Sequence, residues 1–227
     1  MYIYLAILAA LSEILSGLLL YSRFAKVSTR YIVGFASGIV IATAFFELIP
    51  ESNIAENSLY LGLGFFIFYL IEKMVMLHSC GEKECEAHNV SWVAALGMSS
   101  DNIVDGVGIA VGYLTNPSLG ILITIAVIAH EIPQGATTVV LMRDSGFKPH
   151  EIFLTLSIAG AMYPIGAFFS QFIPETYNQK IIAFVAGSFI YIGAGDLLSE
   201  AHRKFNIKVI FLVIFGALTL LILDSLV

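Results

Sequence analysis

Residues 119–142 read LGILITIAVIAHEIPQGATTVVLM, an apolar block whose ionisable residues, His130 and Glu131, fall near its middle. At about 1.5 Å per residue such a helix outspans the roughly 30 Å hydrocarbon core of a bilayer. A helix at the surface of a soluble core carries a one-sided apolar stripe instead. The block therefore predicts a membrane span with polar chemistry at mid-depth.

The rest of the chain repeats the pattern. Eight spans are expected at about 2–22, 31–50, 58–77, 91–114, 119–142, 150–173, 180–199 and 206–226. Short connections rich in Pro, Gly, Asn and Ser, such as Asn116-Pro117-Ser118 and Ser145-Gly146, make neighbouring spans antiparallel. Composition agrees. Hydrophobic residues make up 58% and charged residues 12%, with a mean hydropathy of +0.89, and a soluble domain carries about twice that charged share. The first block opens without a basic leader and reads as a retained span, a signal peptide being the alternative. The chain is expected to be a single transmembrane domain over 1–227, with nothing long enough to form a soluble domain. A net charge of −6, spread thinly, comes with no basic or aromatic module for nucleic acid.

The basic residues orient the spans. The odd-numbered connections hold or flank Arg23, Lys26, Arg30, Lys73, Lys83, Arg143, Lys148, Arg203, Lys204 and Lys208, and the even-numbered ones hold only Lys180. Basic residues stay cytoplasmic, so both termini are expected outside a cytoplasmic membrane.

Intramembrane ionisable groups mark function, because each costs a few kcal/mol or more unless it meets a partner, a cavity or an ion. Span 4 carries Ser99-Ser100-Asp101-Asn102-Ile103-Val104-Asp105-Gly106, and span 5 carries Ala129-His130-Glu131-Ile132-Pro133-Gln134-Gly135. Asp101 and Asp105 are four apart and share a helix face, as do His130 and Gln134, with Asn102 and Glu131 adjoining. Facing one another, these residues offer the oxygen and nitrogen donors that suit borderline divalent ions. Pro133 removes the amide that would donate to the Ala129 carbonyl and bends span 5 beside His130. Gly106 and Gly135 permit close helix approach. A purely structural polar cluster is the bland alternative. An intramembrane metalloprotease needs a second His four residues after His130, and position 134 is Gln.

The two motifs resemble those of the ZIP (Zrt/Irt-like) metal transporters, whose spans 4 and 5 carry His-Asn-x-x-Asp/Glu-Gly and His-Glu-x-Pro-x-Glu/Gly patterns. Span 2, ending Leu48-Ile49-Pro50-Glu51, and span 7, with Ala186-Gly187, Tyr191 and Asp196-Leu197-Leu198, are similar to the family's as well. The resemblance implies an all-α fold of eight transmembrane helices in a 3+2+3 arrangement, with spans 2, 4, 5 and 7 as an inner bundle around the metal path. It also implies transport of a divalent metal toward the cytoplasm and homodimerisation. Zinc comes first, with iron, manganese, cobalt or cadmium as other cargo, and no cofactor is expected. The sequence departs from the family pattern at Asp101, where His is common, at Gln134, where Glu or His is common, and at Tyr163-Pro164, where many bacterial members have Glu before Pro. Two adjacent dications repel and need anionic bridges. With Gln134 and Tyr163 neutral, one principal metal is expected on Asp101, Asp105 and His130, assisted by Gln134. Asn102 and Glu131 are auxiliary, and a second site is weak or absent. A non-transporting membrane sensor or scaffold with a degraded site is the alternative function.

Other acids and ligands group near the span ends. Glu47, Glu51 and Asp224 stand at the outer ends of spans 2 and 8, where they can draw cations to an entrance. Glu200 and His202 leave span 7 on the cytoplasmic side as an exit relay. Within the third connection, residues 78–90, His78, Cys80, Cys85 and His88 form a ligand-rich cytoplasmic loop suited to metal sensing or buffering, although Cys-x4-Cys is not a zinc-finger spacing.

Overall fold

The computed structural model describes residues 1–21, 29–79, 97, 99–203 and 205–226. Their regular elements are all helical. We label them α1 (Tyr2–Tyr21), α2 (Thr29–Ala42), α3 (Ile54–Ser79), α4 (Asn102–Thr115), α5 (Pro117–Asp144), α6 (Pro149–Phe169), α7 (Asn178–Ile190) and α8 (Ile207–Asp224). Two of them pass into π-helical segments without a break. The first, Thr43–Leu48, extends α2 and is followed by Ile49–Glu51; the second, Tyr191–Leu197, extends α7 and is followed by Leu198–Ala201.

Among the described residues, seven helices are long and apolar enough to cross a membrane, and Asn102–Thr115 is a shorter apolar helix. Of the range 91–114 expected for span 4, residues 91–96 and 98 lie outside the described residues, and within the described ones a turn at 99–101 precedes the helix Asn102–Thr115. Its 14 helical residues rise only about 21 Å. The reason is local. Ser99, Ser100 and Asp101 favour turns over helix because their side chains compete for backbone hydrogen bonds. The chain turns there, with the Ser100 amide donating to Gly97 O at 3.2 Å and the Asn102 amide to Ser99 O at 3.3 Å. Cys80, Cys85 and His88 lie outside the described residues, as does the side chain of His78.

Turn chemistry fixes the connections. Asn116 and Asn206 cap α5 and α8 by accepting from the amides of Ser118 and Lys208, each at 3.0 Å. Between α2 and α3, Asn53 takes a positive φ of 48°, which a short polar side chain tolerates.

Packing sorts the helices into two sets. In one, α1, α4, α5 and α6 pack on one another. In the other, α2 pairs with α8 and α3 with α7, and α2 joins the pairs by packing on α7 and its π segment. The sets meet where α2 crosses α5 and α4 crosses α7. Glycines permit the closest approaches. A Cβ at Gly38 would collide with the Val213 carbonyl of α8, and one at Gly106 with the Tyr163 carbonyl of α6. Burial is uneven. In α2, α5 and α7 with its extensions, 61–67% of the apolar window lies inside the protein, against 17% in α3 and in α8. The outer helices turn Leu, Ile and Phe outward, as a lipid-facing surface requires.

Candidate metal centre

The polar residues of α4 and α5 meet inside the first set. Asp101, at the N-cap of α4, and Asp105, one turn on, face His130 and Glu131 of α5. One ligand atom from each of these four buried residues lies within 4.8 Å of all the others. His130 Nε2 is 3.1 Å from Asp105 Oδ2 and 3.2 Å from Glu131 Oε1. Ligands bound tetrahedrally at about 2.0–2.1 Å lie roughly 3.3 Å apart, so these spacings need little adjustment to close on one ion.

The helix sets the imidazole's chemistry. His130 Nδ1 lies 3.0 Å from the carbonyl of Ala126, one turn earlier, so Nδ1–H donates there. In the neutral ring this leaves a lone pair on Nε2, aimed at two carboxylates. That contact is repulsive until a cation or proton lies between them. The edge of Phe189, on α7, closes over the ring at a centroid distance of 5.9 Å.

The surrounding polar atoms are arranged for acceptance. Asp105 Oδ1 and both oxygens of Glu131 are buried without a hydrogen-bond donor, an arrangement that costs several kcal/mol unless a cation compensates it. Three carboxylates face one imidazole, so the group carries excess negative charge that a dication offsets.

The structure distributes the expected residues unevenly. Glu131 stands inside the four-residue group rather than beside it. Gln134 reaches the group through Asp101, donating from Nε2 to Oδ1 at 3.2 Å. Asn102 turns toward α1 and α6, donating from Nδ2 to Glu13 Oε2 at 2.9 Å and to Ala159 O at 3.0 Å. Glu13 escaped sequence reasoning, which followed paired motifs. Its signal was available, since it is the one formally charged residue in the 20-residue helix α1.

Away from this group, Glu47 lies in the π segment of α2 with Asp224 as an electrostatic neighbour, while Glu51 is exposed. His202 Nδ1 contacts Leu198 O at 3.1 Å. Glu200 neighbours Asp196, which itself neighbours Glu72 of α3, and Glu72 accepts a short hydrogen bond from the Tyr191 hydroxyl. Asp196 and Glu72 were not among the expected exit residues. The signal for them was again an acid within or at the end of an apolar block.

Known proteins are similar to this chain in sequence. The family model described as "ZIP Zinc transporter" matches residues 76–224, a stretch that contains both polar motifs of α4 and α5. The zinc transporter ZIP13 homolog of Drosophila melanogaster is 31% identical over 144 residues, covering 59% of this chain and 41% of that protein. Zinc transporter ZIP13 of Pongo abelii is 26% identical over 208 residues, covering 81% of this chain and 62% of the relative. The metal cation symporter ZIP8 of Rattus norvegicus is 24% identical over 130 residues, covering 57% and 28% respectively. The chain thus spans less than two thirds of the length of each of these relatives. The family match covers well over half of the 227 residues, and the chain belongs to the ZIP zinc transporter family.

Proposed function

We propose that this protein carries a divalent transition metal, zinc foremost, across a cytoplasmic membrane into the cell by alternating access. The observation that carries the reading is the buried group of Asp101, Asp105, His130 and Glu131, with one ligand atom each inside 4.8 Å, where the short apolar helix α4 meets the candidate span α5. Iron, manganese, cobalt and cadmium fit the same donors. Members of the ZIP family are transporters, not enzymes, which leaves the protease alternative without support.

The ion sheds water as the carboxylates and the His130 Nε2 lone pair replace it. Gln134 holds Asp101 in place. Every ligand belongs to α4 or α5, and Phe189 of the other helix set caps the imidazole. Sliding or rocking of the set of α1, α4, α5 and α6 against the other therefore carries the ion as one piece and moves the cap away. Affinity stays moderate so that the ion leaves. We place eight spans across the bilayer in the 3+2+3 plan, with α2, α4, α5 and α7 innermost, both termini outside and a homodimer as the assembly. Glu47, Glu51 and Asp224 attract cations at the outer mouth. Glu200 and His202, joined by Asp196 and Glu72, receive them at the inner one. The 78–90 connection buffers or senses metal in the cytoplasm.

Liposome flux across a panel of divalent metals tests the reading. Wild-type protein moves zinc, while Asp105→Ala and His130→Ala fold normally yet move none. A wild type that binds zinc and carries no flux establishes the sensor alternative instead.

A further inference from the structure

A cavity of about 510 Å³ lies where α4 of one helix set crosses α7 of the other, and no residue of the metal centre lines it. Its size falls in the roughly 300–1,000 Å³ range of small-molecule sites. Ile103 and Val107 of α4 line it together with Ile181 and Phe184 of α7. Among its lining residues only Tyr60 of α3, Tyr177 and Lys180 carry polar side-chain atoms. A water molecule needs two to four polar partners, so the body of the cavity suits an apolar occupant.

The polar residues gather around one cation. Lys180 Nζ lies 5.6 Å from the centroid of the Tyr60 ring and 5.0 Å from that of Tyr177, so two aromatic rings from separate elements hold the ammonium. No carboxylate forms an ion pair with it among the described residues. Lys180 is half-buried in the first turn of α7, near the end of the candidate span Glu175–Ala201, where headgroups lie. Phe184 follows one turn deeper.

The packing beside the cavity is tight. A Cβ at Gly64 of α3 would strike the Phe184 carbonyl, and one at Gly108 of α4 would press against Val185. Asn178 Nδ2 donates to Thr115 Oγ1 at 3.2 Å and ties the start of α7 to the end of α4. The space is therefore a local feature between well-packed helices. Ile103 and Tyr177 are exposed, so it reaches the outer surface that meets lipid.

We propose that this cavity binds one anionic glycerophospholipid from the leaflet at the start of α7, with its phosphate on Lys180 Nζ and an acyl chain between α4 and α7. A free phosphate leaves the apolar walls uncovered, and a neutral lipid leaves Lys180 without a counter-charge. The lipid touches both helix sets, so its occupancy favours the arrangement of the sets described here. That consequence rests on the movement of the sets under the transport reading; the binding site itself does not.

The test is native mass spectrometry of the purified full-length chain in detergent, titrated with phosphatidylglycerol or with phosphatidylcholine of the same acyl chains. Wild type takes up one phosphatidylglycerol per chain and prefers it about fivefold or more, the size of one lysine contact with an anionic lipid. Lys180→Gln loses the preference. Lys208→Gln, an exposed lysine in the first turn of α8, keeps it. Val107→Phe fills the cavity and weakens uptake of both lipids several-fold. Equal uptake of the two lipids by wild type, or a preference retained in Lys180→Gln, removes the phosphate contact and overturns the proposal. Unchanged uptake by Val107→Phe, or displacement of the lipid by equimolar inorganic phosphate, removes the acyl-chain contact and overturns it as well. If Val107→Phe does not fold, short-chain phosphatidylglycerol decides: binding as tight as that of the long-chain lipid overturns the proposal. None of these substitutions touches a residue of the metal centre, so failure here leaves the transport reading standing.

Discussion

The two helix sets treat buried polarity in opposite ways. In the set of α2, α3, α7 and α8 with their extensions, the buried hydroxyls and amide are satisfied at home. Thr43 donates to Ile39 O, Ser52 to Ile49 O, Asn57 to Ser52 O, Ser188 to Val185 O and Ser37 across to Gly193 O. In the set of α1, α4, α5 and α6, together with the turn leading into α4, lie Glu13, Asp101, Asp105, His130 and Glu131. These are the fully or nearly fully buried carboxylate and imidazole residues among those described. Most of the buried side-chain atoms without a partner lie there too, Arg30 being the exception in the other set. A satisfied polar group ties helices together, whereas an unsatisfied cluster is an expense that a ligand relieves. Arg30 aside, one set meets its own buried polar groups, while the other leaves a cluster of them for a ligand to meet.

The comparison breaks most easily at its strongest point. Replacing Asp105 by Asn is expected to lower zinc affinity by about 100-fold or more, exceeding the 10–100-fold typical of residues behind the ligands. Thr43→Val in the other set should leave affinity within about twofold, as isothermal titration in detergent will read. Equal losses would dissolve the distinction between the sets. Zinc at about 100 times its Kd should stabilise wild type by roughly 2.7 kcal/mol, detectable as a rise in Tm that a chelator reverses and that His130→Ala abolishes. Proton competition comes next in size. Protons and metal compete for the same imidazole and carboxylates, so acid favours the metal-free form. Zinc flux into liposomes without a proton gradient should fall several-fold from pH 7.5 to 5.5, and faster uptake at pH 5.5 would contradict a site built on His130. The glycines sharpen the contrast at smaller energies. Gly38→Ala and Gly106→Ala each force backbone apart and should cost about 1–3 kcal/mol, but only Gly106→Ala should weaken zinc binding, because only its helix carries ligands. Smallest of all, Ser37→Ala removes one hydrogen bond between α2 and the π segment of α7 and should cost about 1 kcal/mol with affinity unchanged.

The residues differ in how openly the sequence announced them. The pairs Asp101/Asp105 and His130/Gln134 were legible because the helical repeat turns a spacing of four into a shared face. Glu131 adjoins His130 on α5, its carboxylate 3.2 Å from Nε2, yet only the crossing of α4 and α5 brings that pair within reach of Asp101 and Asp105. Glu13 stood alone in an apolar helix, 89 residues from Asn102, and no local pattern relates the two. The π segments Thr43–Leu48 and Tyr191–Leu197 were invisible as well, since nothing in their composition sets them apart from ordinary helix.

By itself the sequence determined the membrane class, the approximate spans and the paired donors on α4 and α5. Those follow from hydrophobic length and helical period, which are local properties of the chain. Only the tertiary structure decided that the polar side chains of α4 and α5 converge within one four-helix set and that Glu13 joins Asn102. These depend on which helix faces touch, and close approach at Gly106 and Gly135 settles that between residues far apart in the chain.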